Sequence, residues 1–384
     1  MARRGVMPKP DVATVNTLCG LVAASHVRVL AVVGLAKNAG KTTVVNALLE
    51  NCAYRFGLTS LGLDGERTDH LTGLAKPSIT PPADTLVATT VGSLERSPYA
   101  MGILERLPFR TPLGPVVIGR AAGGGHVEVS GPTTLKELRK TIARLRAHGA
   151  ERVIVDGAID RLGSASPHVS DGIVLATGGM VDDSLEDVVT TTAATVVLLS
   201  TPQVAEQTRE LMAPHRERGA RLVSFDARGR ATDLEMGTTE GAGAAAARKV
   251  VRSAAVALFV GGALTLGFLE DLVRVLPPGA RLDVVVRDAT VLVLPARSLE
   301  RVRRGGVSIK VLEPLRLLAV TVNPFRLPRP FPSSSFFAAI ADAVGDRYPV
   351  VDVVNGHTSL PSMRCGGRHD PSLPEEADAV KERG

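Results

Sequence analysis

The apolar positions of this chain fall in short runs broken by glycine, proline and charge, and the first run sets the frame. Residues 27–33 read Val-Arg-Val-Leu-Ala-Val-Val, a β-branched stretch suited to a strand buried on both faces. A glycine-rich turn follows, and then a helix is predicted over about 42–56. Further strands are predicted at 60–63, 85–89, 115–119, 152–155, 172–176 and 195–199. Between two of them Leu135, Leu138, Ile142 and Leu145 recur at three- and four-residue spacing, which predicts a helix over 133–148. Strand and helix alternating at this rhythm imply an α/β fold with a doubly wound parallel sheet. Ahead of it, residues 1–10 are expected to be disordered and 11–25 to form a short amphipathic helix.

A second α/β (mixed) unit is expected to follow. Residues 237–243 are dominated by Thr and Gly, and an Ala-rich helix is predicted over 244–252. Strand-like runs lie at 255–260, 282–286, 290–294, 308–312 and 317–322, with a helix at 334–344. The chain thus divides into an extension (1–26), a first domain (27–236), a C-terminal domain (237–355) and a tail (356–384) expected to be mobile. The most hydrophobic window, 253–269, falls short of the roughly 20 residues that a membrane helix needs and carries three glycines. It reads as a strand, a Gly261-Gly262 turn and a helix, so no membrane partner is expected.

Composition narrows the function. A length of 384 residues favours two domains, and 45% hydrophobic with 22% charged residues excludes global disorder. Aromatic residues are only 3% with no Trp, which disfavours a base-stacking surface for single-stranded nucleic acid. Cys19, Cys52 and Cys365 are too few and too scattered for a disulfide scaffold, so a reducing cytoplasm is expected. Behind Met1-Ala2-Arg3-Arg4 there is no apolar run, because Pro8, Lys9, Pro10 and Asp11 intervene, so no secretory signal is expected. The net charge is +6, and 36 of the 45 basic residues are Arg, a uniform bias rather than a nucleic-acid signature. The short Arg301-Val302-Arg303-Arg304 run reads as a solvated face.

The chemistry concentrates at Gly34-Leu35-Ala36-Lys37-Asn38-Ala39-Gly40-Lys41-Thr42-Thr43, between a strand and a helix, which resembles G-x-x-x-x-G-K-[ST] with five residues rather than four between the two glycines. In such a P-loop the backbone N–H groups of 34–43 wrap a β-phosphate and the helix N-terminus adds its positive end. Gly34 and Gly40 permit the tight turn, Lys41 bridges β- and γ-phosphates, and the Thr42 hydroxyl ligates Mg²⁺. Nucleotide contacts are therefore expected from Gly34, Lys37, Asn38, Ala39, Gly40, Lys41, Thr42 and Thr43. Lys37 precedes Lys41 by four residues. Dimeric P-loop ATPases that insert an early lysine into the partner's site space the two by five, so a homodimer stays open and a solvent-exposed Lys37 is the plainer reading.

Acidic groups are needed where neighbouring strands end. Asp64-Gly65-Glu66 and Asp156-Gly157-Ala158 both qualify, so Asp64, Glu66 and Asp156 join Thr42 as candidate metal ligands, with Lys41 and Asp156 the candidate catalytic residues. Ordinary Asp-Gly turns are the alternative at both places.

These phrases resemble the P-loop NTPase branch of dethiobiotin synthetase, the cobyrinic acid amide synthases and the molybdopterin-guanine-dinucleotide cofactor protein MobB, over 27–200. The resemblance implies a P-loop NTPase domain in which Thr42 and Asp156 hold the metal, with an acid after the second strand often joining them. With Leu61–Glu66 and Ser170-Asp171-Gly172-Ile173-Val174-Leu175-Ala176-Thr177-Gly178 added, the chain more specifically resembles a P-loop protein encoded with lysine 5,6-aminomutase. That likeness implies a reactivase subunit, whose nucleotide turnover drives exchange of damaged cobalamin on a partner aminomutase.

Weaker signals remain. Arg120 and His126 flank a glycine-rich stretch that reads equally as a second anion site or as a connector. Thr177-Gly178-Gly179 either borders the ligand or simply turns. Cys365 and His369 lack a second pair to close a metal site. An Asn-Lys-x-Asp base reader is missing, which favours ATP over GTP. Three functions stay open: a Mg-dependent ATPase acting on a protein partner, an ATP-dependent ligase or kinase for a small carboxylate or alcohol, and a non-catalytic nucleotide-binding scaffold.

Overall fold

Asp11 accepts a hydrogen bond from Thr14 N at 2.9 Å and so starts helix α1 (Val12–Ala24). A cap of this kind contributes about 1 kcal/mol. The computed structural model describes residues 10–62, 78–97, 99–158, 163–235 and 243–360. Val15, Leu18 and Val22 recur at helical spacing along α1 and are buried. They cover one face of a sheet whose first strand, β1 (Val29–Gly34), is buried at every position.

Helix α2 (Lys41–Asn51) leaves the loop after β1 and ends at Cys52, so the helix expected to run to 56 stops early. The chain enters β2 (Phe56–Ser60) there, four residues ahead of the strand expected at 60–63. Next come β3 (Leu86–Thr90), the short α3 (Val91–Arg96), and a hairpin of β4 (Met101–Thr111) and β5 (Gly114–Ala121). Helix α4 (Leu135–Ala147) buries Leu138, Ile142 and Leu145, as their spacing predicts. Strands β6 (Arg152–Ala158) and β7 (Gly172–Gly178) flank β1 in parallel register on either side. Residues 195–199, expected as a strand, instead complete helix α5 (Leu185–Leu199). Val188, Thr192, Val196 and Leu199 form one buried stripe there, and that tertiary stripe overrides the β preference of Thr and Val.

A smaller sheet follows from α6 (Glu206–Glu217), β8 (Leu222–Asp226), β9 (Ala231–Asp233), α7 (Gly243–Arg252), β10 (Ala255–Val260), β11 (Leu264–Thr265), α8 (Leu266–Val275), β12 (Leu282–Val286), β13 (Leu292–Val293), α9 (Leu299–Arg304) and β14 (Val307–Val311). Its strand order is β14-β12-β10-β8-β9, parallel from β10 to β14 and antiparallel from β8 to β9 and β10. The strand expected at 290–294 is mostly a 3₁₀ turn begun by Asp288, with only Leu292 and Val293 paired. The Arg301–Arg304 run lies in α9 and is met by acids: Arg301 pairs with Glu270, and Arg303 and Arg304 with Glu300.

The chain then returns. Strand β15 (Leu317–Asn323) pairs in parallel with β7, and α10 (Ser333–Val344), β16 (Val350–Asp352) and β17 (His357–Thr358) complete the larger sheet. Sheet membership therefore does not follow the sequence division at residue 237: β8 and β9 belong to the smaller sheet, and β15–β17 to the larger. The larger sheet runs β17-β16-β15-β7-β1-β6-β2-β3-β5-β4, parallel from β16 to β3 and antiparallel at both rims. This is a mixed α/β fold with a large, mostly parallel central sheet. Helices α1 and α2 cover one face, while α4, α5 and α10 cover the other, where the smaller sheet's apolar residues join the same core.

Two features bear on later points. Cys19 in α1 and Cys52 at the end of α2 form a disulfide, with Cα atoms 5.4 Å apart. That corrects the reading of scattered cysteines: residues 33 apart in sequence meet because both helices pack on one sheet face. The rim strand β4 is interrupted by register shifts at Ile103/Glu105 and Arg106/Arg110, with the exposed Pro108 between. Among the described residues, no helix is long and apolar enough to cross a membrane.

Candidate functional site

The carboxyl ends of β1, β6, β7 and β15 converge on one loop, residues 35–40, because parallel pairing brings Gly34, Ala158 and Ala176 to the same level. Leu35 N donates to Ala176 O at 2.9 Å, which pins the loop's first residue to β7. Asn38 takes φ 60° and Gly40 φ 99°, so the chain turns twice through the left-handed region before α2 begins. Gly40 is the N-cap of α2 and offers no side-chain hydrogen bond to the first helical turn. The N–H groups of that turn thus receive no side-chain cap from Gly40, and they point out of an eleven-residue helix whose N-terminal end is positive.

Lys41 lies back over the loop. A Cβ placed on Gly34 would meet Lys41 Cγ at 2.7 Å and Cδ at 2.8 Å, so glycine there is what lets the lysine stem cross the strand end. Lys37 is exposed, and Ala39 is buried against Gly178, where a Cβ would stand 3.3 Å from Ala39 Cα. Thr42 and Thr43 occupy the first turn of α2, half-buried. Asp156 sits at the carboxyl end of β6, level with Val32 of β1 and Ser60 of β2, and shares a sheet face with Ile154, the face that α2 covers. The structure thus brings Lys41, Thr42, Thr43 and Asp156 to one edge of the sheet. Asp64 and Glu66 lie outside the described residues, as do Cys365 and His369. Among the described residues, no group of three or more His, Cys, Asp or Glu could hold a metal ion.

Two of the weaker signals separate. Thr177 is buried, its hydroxyl hydrogen-bonded to Thr192 at 2.7 Å, and Gly178 abuts the loop. Arg120 is elsewhere. It pairs with Leu86 at the start of β3, because β5 runs antiparallel, and reaches Asp84 at 3.5 Å. The Gly123-Gly124-Gly125 turn and exposed His126 follow at that same far end, all three glycines with positive φ. Arg120 and His126 therefore lie away from the 35–40 loop.

One residue escaped the sequence reading. Asn323, the last residue of β15, donates from Nδ2 to Asn38 O at 3.1 Å, and its Cβ lies 3.0 Å from where a Gly40 Cβ would be. Its O accepts from Gly179 N at 2.9 Å. The available signal was its position, a polar residue ending an apolar run just before Pro324. The sequence division at 237 places 317–322 in the second unit, away from the loop.

Compared with known proteins, the chain matches no family model, no curated protein and no solved structure.

Proposed function

We propose that the chain binds a magnesium–nucleoside triphosphate on residues 34–43 and hydrolyses it, coupling turnover to a protein partner. The observation that carries this reading is the entry to α2, where a left-handed Gly40 gives no side-chain cap and Lys41 folds over Gly34. Backbone N–H groups and one ammonium fit a polyphosphate, and a Cβ at Gly34 would spoil the fit. Thr42 and Asp156 would hold the magnesium. One hydroxyl and one carboxylate, with phosphate oxygens and water completing the shell, suit that ion's habit. Bound there, the metal neutralises charge on the phosphates.

The chain's own residues divide the work. The loop's N–H groups orient the β-phosphate, Lys41 spans toward the γ-phosphate, and Asp156 fixes the metal-side water. Adenine is favoured over guanine because no Asn-Lys-x-Asp reader is present. For the partner, the resemblance to a reactivase points to a cobalamin-dependent aminomutase.

Titration calorimetry with Mg-ATP and Mg-GTP tests the reading. Heat of association with ATP in the wild type and none in Lys41→Ala is expected. No heat with either nucleotide would remove it. ATPase stimulation by a candidate aminomutase, rather than by a small carboxylate or alcohol, separates the partner-coupled ATPase from a ligase or kinase.

A further inference from the structure

Among the described residues, the crossover from β6 to β7 carries no α-helix, and its Ala165 packs on the face of β1 where the smaller sheet is docked. Its described part, 163–170, is rich in buried hydroxyls: Ser164, Ser166 and Ser170 are all buried. At one end it presses on the site. A Cβ on Gly157, the neighbour of Asp156, would meet Ser164 Oγ at 2.5 Å. At the other end Asp171 accepts from Arg28 N and Val29 N, both at 2.9 Å, and so clamps the crossover to the start of β1.

Between these ends the crossover is gripped from the smaller sheet. Asp288, just past the carboxyl end of β12, is fully buried and accepts from Ser166 Oγ at 2.9 Å, in a contact between residues 122 apart in sequence. The rest of its carboxylate is occupied by Thr290 N at 2.9 Å, the Thr290 hydroxyl and Arg287 Nε at 2.7 Å. One turn further on, His168 Nε2 lies 3.2 Å from Glu313 Oε2, just past the end of β14, and Glu313 also pairs with Arg216. A buried carboxylate with four donors has almost no positional freedom, since every displacement breaks a charge-assisted bond in a low-dielectric setting.

We propose that Asp288 is a positioning residue for the phosphate end of the site: through Ser166 it holds the 163–170 crossover against Gly157 and thereby fixes the strand end that bears Asp156. The assignment of that strand end to nucleotide chemistry rests on the function proposed above; the mechanical link does not. The smaller sheet is then part of the site's frame. A partner that shifts it by pulling on β12 or β14 changes the placement of Asp156 without touching the loop that binds the phosphates.

The test uses full-length protein with Ser166→Ala, Ser166→Thr and Asp288→Asn. Without nucleotide, hydrogen exchange of amides 155–158 is expected to rise at least tenfold in Ser166→Ala and Asp288→Asn. Exchange in β1 should stay unchanged, and Ser166→Thr, which keeps the hydroxyl, should restore protection. With Mg-ATP, kcat is expected to fall about tenfold while Kd stays within about twofold. Faster exchange confined to 287–291, with 155–158 untouched, would overturn the proposal. So would equal losses of binding and turnover. Should the wild type bind no nucleotide while 155–158 still respond, the functional reading fails and the mechanical link stands.

Discussion

The two sheets use the same strands and finish them differently. Parallel β-branched runs form both, buried at every position of β1 and β7 and at most positions of β10 and β12, and glycine appears where one backbone must approach another. At the carboxyl edge of the larger sheet the chain leaves a capless helix start and a lysine folded over glycine. At the carboxyl edge of the smaller sheet it leaves two carboxylates, Asp288 and Glu313, each committed to side chains of its own unit and to the crossover. One edge presents donors and the other has spent its acceptors. Similar architecture thus yields one surface suited to an anion and one suited to gripping its neighbour.

The strongest way to break this comparison is through glycines that hold each sheet. A Cβ on Gly131 would fall 1.6 Å from Ser60 O, and one on Gly261 2.2 Å from Ala220 O, both backbone atoms that cannot swing aside. Gly131→Ala is expected to cost about 3 kcal/mol. Gly261→Ala should cost less, and urea denaturation measures both. Gly34→Ala differs in kind: its clash is with the Lys41 stem, so stability should hold while nucleotide binding is lost, read by thermal shift with and without Mg-ATP.

Next in size is Asp156→Asn, expected to lower kcat far more than affinity, because the role proposed for it is placing metal and water rather than gripping phosphate. Asn323→Ala removes one hydrogen bond to the loop and should weaken nucleotide binding about fivefold, the equivalent of about 1 kcal/mol. Calorimetry resolves that difference.

Acid should loosen the smaller sheet by the smallest steps. Burial and the nearby Arg218 hold His215 below its ordinary 6.5, so the unfolded chain binds the proton more readily and stability declines as pH falls below 6.5. For Asp288, burial pushes the carboxyl up. The Thr290 hydroxyl and the Arg287 guanidinium outweigh that and bring it below 3.8. Its contribution is intact above that value and fades as pH drops through the folded-state one. Amide exchange in β12 followed from pH 7 to 3 should show both phases, and Asp288→Asn should lose the lower one.

The legible parts of the chain were those where local pattern and tertiary need agree. β1, α2 and β7 follow from apolar runs and spacing, and the loop from its glycines and Lys41. What stayed hidden depended on distance in sequence. Thr195–Leu199 carries strand-forming side chains, and only the core beneath α5 makes it helical. Strand β4 shows no alternation because its rim position exposes most of both faces. Asn323 reaches the loop only because β15 returns to β7 after the whole smaller sheet, a connection that no local signal announces.

The broken course of β4 has a consequence of its own. A long outer strand leaves a row of open main-chain groups that invites another chain to zip alongside, the opening move of fibril growth. Here Pro108 withholds a donor, two register shifts break the ladder, and Arg106 and Arg110 repel an identical copy. Straightening that ribbon, by Pro108→Val for instance, would remove a safeguard against self-templating that the buried core does not provide.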